Sequence, residues 1–127
     1  MRLLLDTHVF LWAVSDNPKL SASARRTISN AEAVYVSAAS IWEIAIKTAI
    51  GKIEADPDEL AHAIEASGFI PLPITPIHAA RVAKLPLLND HKDPFDRLLV
   101  AQSLTEPLVL LSADAKIKAY GGLVEAV

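Results

Sequence analysis

The 127-residue chain is predicted to adopt an α/β fold with a central, mainly parallel sheet covered by helices on both faces. Three observations carry that prediction. Short apolar segments that read as buried strands, RLLL (2–5), AVYVS (33–37) and PLVLLS (107–112), alternate with helical segments, the pattern of strand–helix crossovers. The helical segments carry start and stop signals, with Ser, Thr or Asp at their heads and glycine past two of their ends. No repeat, low-complexity tract or linker interrupts the series, so residues 1–127 read as one domain.

Taken in order, RLLL is followed by HVFLWAV (8–14), an apolar helical turn that stops near the Asn17-Pro18 breaker. SASARRTISNA (21–31) reads as a small surface helix capped by Ser21. AVYVS leads into SAASIWEIAIKTAIGK, a helix with Ser37 as its cap and Gly51 just past its end. DPDELAHAIEASG (56–68) has Asp56 as cap, Pro57 at the first helical position and Gly68 as terminator. FIPLPIT (69–75) is extended but broken by prolines, which makes it at best an edge strand. TPIHAARVAKL (75–85) and the segment from Asp93 to Leu104 are two further helices. PLVLLS is the last clear strand, and GLVEAV at the end adds a short candidate.

Composition narrows the classes. Hydrophobic residues make up 52% of the chain, yet the longest unbroken apolar run is VFLWAV (9–14), far short of a membrane span. No basic segment followed by an apolar stretch and a small-residue cleavage site opens the chain, so a cytoplasmic location is expected. The absence of cysteine removes disulfides and thiolate metal sites and fits a reducing compartment. A net charge of −3 does not advertise a nucleic-acid binder. A protein this acidic that handles RNA or DNA needs bound cations or a local basic patch.

In open parallel sheets, ligands bind beyond the carboxyl ends of the strands. Asp6 stands immediately after RLLL, and Asp114 at the end of VLLSAD. Glu43 falls in the second turn of the helix after AVYVS, and Asp96 in the first turn of the helix opened by DPFD. Each acid has a structural explanation. Asp93 is a helix cap, Pro94 suits the next position, and Asp96 is favoured by the helix dipole. Glu43 with Lys47, and Asp93 with Arg97, are spaced as helical ion pairs. Asp6 and Asp114 suit the turns after their strands.

Together these explanations weaken. Glu43 and Lys47 are the only charges between Ala38 and Ile50, and a carboxylate on so apolar a helix must be paired or metal-bound. Two carboxylates about 4 Å apart repel by roughly 4 kcal/mol at an effective dielectric near 20. Four converging acids therefore call for a divalent cation or for protons, and an all-oxygen set suits Mg²⁺ or Mn²⁺.

LLLDTHVFLWA, SAASIWEIAIK, DPFDRLLVAQ and LLSAD, in that order, resemble the PIN-domain ribonucleases, and specifically the VapC-type toxins of toxin–antitoxin modules. The resemblance spans the chain, and DPFDRLLVAQ is its most specific piece. It implies a three-layer α/β/α sandwich and a metal-dependent endoribonuclease. The acids of the family fall on Asp6, Glu43, Asp96 and Asp114, with Ser112 as a hydroxyl helper where many members have threonine. Also implied are an RNA substrate, a cognate antitoxin and a homodimer. Arg97, Lys47 and His91 are candidates for contact with phosphate, although an ion pair for the first two and a solvated loop position for His91 are the plainer readings. Phe10, Trp12, Trp42 and Ile46 read either as core or as an apolar groove for the antitoxin.

Other classes make different demands. A receiver-type signalling domain wants paired acids after the first strand and a lysine closing the last, whereas Thr7 and His8 follow Asp6, and Lys116 lies two residues beyond Asp114. An aspartate-nucleophile phosphatase wants an aspartate where His8 stands. A housekeeping nuclease without an antitoxin satisfies the same residues as a toxin.

Overall fold

Five strands, β1 (Arg2–Leu5), β2 (Ala33–Ser37), β3 (Ile70–Leu72), β4 (Val109–Ser112) and β5 (Val124–Ala126), form one sheet in the order β3-β2-β1-β4-β5. Every pairing is parallel. The computed structural model describes residues 1–87, 93–120 and 124–126. Among these residues six α-helices accompany the sheet: α1 (Thr7–Val14), α2 (Ala22–Asn30), α3 (Ala38–Ala49), α4 (Pro57–Ala66), α5 (Pro76–Arg81) and α6 (Pro94–Thr105).

The central strand explains the layering. Leu3 and Leu5 of β1 join one core with Val9, Phe10, Val36, Ile44 and Ile64. Leu4, pointing to the opposite face, joins a second core with Leu72, Leu99, Leu108 and Leu110. A strand buried on both faces carries no polar alternation, which is why RLLL reads as a plain apolar run. Helices α1, α2, α3 and α4 each contribute to the first core, and α6 contributes Leu99, Val100 and Ala101 to the second. This is the three-layer arrangement expected.

The caps fall where the sequence places them. Ser21, Ser37, Asp56, Thr75 and Asp93 each accept a hydrogen bond from a backbone N–H of the first turn of their helix. Gly51 and Gly68 take positive φ values of 77° and 81° just after α3 and α4, a conformation that glycine adopts without steric cost. Strand β3 lies at the sheet edge, as Pro71 requires, because it has no N–H to give to a second neighbour.

Two details differ from expectation. The helix expected over 75–85 is α-helical only to Arg81 and tightens into a 3-10 turn over Val82–Lys84. Pro86 accounts for this stop, since it holds the preceding Leu85 in an extended conformation. A 3-10 segment over Ala115–Tyr120, unannounced by any periodicity, buries Ile117 and Tyr120 in the second core.

Candidate metal centre

The chain runs outward from β1 to β2 and β3, then crosses to β4 on the other side of β1. The order therefore reverses between β1 and β4, the place where open α/β sheets leave a crevice. A cleft of about 450 Å³ opens there, lined by Asp6, Thr7, His8, Trp12, Glu43, Lys47, Asp93, Asp96, Ala113 and Asp114. All four acids singled out in the sequence line it, on four separate segments of the chain.

Asp6 is the most constrained of them. It is only 4% exposed, and both carboxylate oxygens accept hydrogen bonds. Oδ1 accepts from the Val9 N–H at 2.8 Å, which also caps α1. Oδ2 accepts from the Ser112 hydroxyl at 2.7 Å and from the Ala113 N–H at 3.0 Å. Burial pushes the Asp6 carboxyl above its ordinary range, against those three donors and the nearby His8. Ser112, fully buried at the end of β4, thus acts on Asp6 directly.

Glu43 is also 4% exposed. Its Oε1 accepts from the Thr7 hydroxyl at 2.7 Å, and its Oε2 from the Lys47 ammonium at 2.7 Å. Hydrogen bonding to Glu43 raises the Lys47 pKa, with Asp93 and Asp96 adding to it through space. The helical ion pair expected for Glu43 and Lys47 is present, and it faces the cleft.

Asp93 both caps α6, accepting from the Phe95 and Asp96 N–H groups at 2.9 and 3.1 Å, and lines the cleft. Asp114 accepts from the Lys116 N–H at 2.9 Å and likewise lines it. A cap and a cleft wall are therefore not alternatives here.

Several expected contacts lie elsewhere. The Arg97 guanidinium does not turn to the cleft or to the Asp93 carboxylate. It donates to the carbonyls of Pro86 and Val82 at 2.8 and 3.2 Å and to the Tyr120 hydroxyl at 3.2 Å, lying over that ring. A rigid fork of donors reaches two carbonyls and a hydroxyl at once, more acceptors than the single carboxylate four residues earlier offers. Phe10 is no part of a groove. It is fully buried, in edge contact with Phe69, because it lies on the inward face of α1. Trp12 and Trp42 do not share one groove either. Trp12 lines the acidic cleft and a groove between α1 and α4, while Trp42 lines a separate apolar groove with Ile41, Ile64 and Pro71. Ile46 is 39% exposed one turn beyond Trp42. His91 lies outside the described residues. The cleft also holds two side chains the sequence reading passed over, Thr7 and His8. Thr7 sits directly after Asp6, and a hydroxyl beside a strand-end acid was the signal available.

A divalent cation fits this donor set. Among the described residues, five carboxylates and a single ammonium line the cleft, and burial already drives Asp6 toward protonation, a state that a bound cation reverses. Oxygen donors alone suit Mg²⁺ or Mn²⁺. As the side chains stand, no group of three or more histidines, aspartates and glutamates among the described residues is drawn together tightly enough to hold an ion. The acids are instead held by the chain's own donors.

A PIN-domain family model matches residues 3–123. Ribonuclease VapC22 of Mycobacterium tuberculosis is 30% identical over 124 residues, covering 93% of this chain and 91% of that protein. A chain in the crystal structure of VapBC2 from Rickettsia felis bound to a DNA fragment from their promoter superposes with a TM-score of 0.72 at 13% identity, covering 99% of this chain and 98% of that one. A chain of FitAcB from Neisseria gonorrhoeae gives 0.65 at 20% identity, covering 96% and 95%.

Proposed function

The chain belongs to the PIN-domain family, and from that premise we propose that it is a metal-dependent endoribonuclease, the toxin of a toxin–antitoxin pair. The observation that carries the proposal is the convergence of Asp6, Glu43, Asp96 and Asp114 on one cleft beyond the carboxyl ends of the strands. The 30% identity to a VapC ribonuclease supports the activity.

Asp6, Glu43, Asp96 and Asp114 would hold one or two Mg²⁺ or Mn²⁺ ions. A bound ion of this kind acidifies water and neutralises charge on a phosphodiester. The remaining work falls to the chain. Ser112 and the Ala113 N–H fix the rotamer of Asp6, and Thr7 fixes that of Glu43. Lys47 offsets the Glu43 charge at the cleft wall.

Partners follow from the exposed apolar surface. Trp42, 57% exposed, lines an apolar groove with Ile41, Ala45 and Pro71 that suits the apolar face of an amphipathic antitoxin segment, and Ile46, outside that groove, is 39% exposed on the same helix. Ile70, Ile74 and Ile77 are exposed around β3 and the start of α5, the surface we assign to a homodimer. No helix among the described residues is long and apolar enough to cross a membrane, and we place the protein in the cytoplasm.

Brief induction of the protein in cells, followed by mapping of new 5′ ends in total RNA, tests the activity. Discrete cuts that vanish in the Asp96→Asn variant are expected. Identical end profiles for the two proteins would remove the proposal.

A further inference from the structure

The cleft is acidic on nearly every side but one. His8 and Trp12 of α1 stand one helical turn apart, with ring centroids 6.0 Å apart and planes tilted by 48°, and both line the cleft beside the carboxylates. Their neighbours Val9 and Phe10 are fully buried, so the helix turns its apolar residues inward and leaves this aromatic pair on the open side. Trp12 is half-buried, packed on one side against the first core. An indole anchored in this way is a rigid, uncharged wall.

We propose that Trp12, flanked by His8, is a stacking platform for one unpaired nucleobase of the RNA, and that it positions the adjoining phosphate at the acids. The inference rests on the ribonuclease reading and deepens it. Among the described residues, five carboxylates and one ammonium line the cleft, so even with a cation offsetting part of that charge an uncharged contact suits a nucleotide here better than a further charged one. A base carries no charge and every base has a π-face, so stacking supplies attraction that the acidic walls do not oppose. A base inside a duplex is already stacked between its neighbours, which restricts the platform to loops, bulges and single strands.

The test uses the full chain with Ca²⁺ replacing Mg²⁺ to slow cleavage, in a Trp42→Phe background so that Trp12 is the only fluorophore of its kind. A single-stranded RNA hexanucleotide should quench Trp12 fluorescence, and the same sequence as a blunt duplex should not. Trp12→Leu keeps an apolar side chain on the core but removes the ring, and should weaken hexanucleotide binding about tenfold, whereas Trp12→Phe should stay within about twofold. In cleavage assays with Mg²⁺ the loss should appear in KM more than in kcat. A strand with one abasic position should bind more weakly than the intact strand at only one location along its length. Equal binding by Trp12→Leu and the parent, or equal quenching by duplex and single strand, would overturn the platform while leaving the nuclease in place. Failure of the parent protein to bind or cleave any single-stranded RNA would overturn both.

Discussion

The hydroxyl of Ser112 donates to the carboxylate of Asp6 at 2.7 Å, across 106 residues of sequence. This bond ties the ends of β1 and β4 together at the point where strand order reverses. Ser112→Ala leaves the Ala113 N–H as the only donor to that oxygen. A hydrogen bond to a charged group contributes about 1.5–3 kcal/mol, so urea denaturation in EDTA should show a loss of roughly that size. Ser112→Thr should restore most of it.

Asp93 and Asp96 should separate cleanly. Asp93→Ala removes the cap of α6 and should cost about 1 kcal/mol of stability while leaving much of the cleavage activity. Asp96→Asn keeps the shape, removes one of the converging charges and should abolish cleavage. The reverse pattern in paired denaturation and cleavage assays would invert the assignment.

Cleavage should require Mg²⁺ or Mn²⁺ and stop in excess EDTA, since the chain has no cysteine to favour zinc. Because the cation binds only the folded chain, millimolar Mg²⁺ should also raise Tm. That rise should shrink in Asp96→Asn. Activity that persists in chelator would leave the metal mechanism untenable.

Arg97→Met should destabilise the protein by about 1 kcal/mol, because it removes the donor shared by the carbonyls of Pro86 and Val82 and the Tyr120 hydroxyl. KM for RNA in the variant that remains folded should match the parent. A raised KM at unchanged stability would return Arg97 to the phosphate-binding surface.

Phe10 and Trp42 should behave as opposites. Phe10→Ala opens a cavity in the first core and should cost about 3–5 kcal/mol. Trp42→Ala, at an exposed position in edge contact with Phe95, should cost only about 1 kcal/mol but weaken capture of the co-expressed antitoxin on a sizing column. An undiminished complex would move the antitoxin to another face.

The sequence by itself determined the order of the strands and α-helices, the caps at Ser21, Ser37, Asp56 and Asp93, the glycine stops at Gly51 and Gly68, and the edge position of the Pro71 strand. Each of these depends on backbone groups within one turn of the residue concerned, so a window of a few residues holds the whole cause. The acid set was legible for a related reason, since strand ends in a parallel sheet share one edge and carboxylates on apolar segments need an explanation. Only the tertiary structure decided which way α1 faces, and hence that Phe10 is core while His8 and Trp12 open on the cleft. It alone paired Ser112 with Asp6 and Thr7 with Glu43, and it carried Arg97 away from Asp93 to the carbonyls of Val82 and Pro86. Those outcomes depend on which buried donors and acceptors lack partners once the layers pack, and residues far apart in the chain supply them.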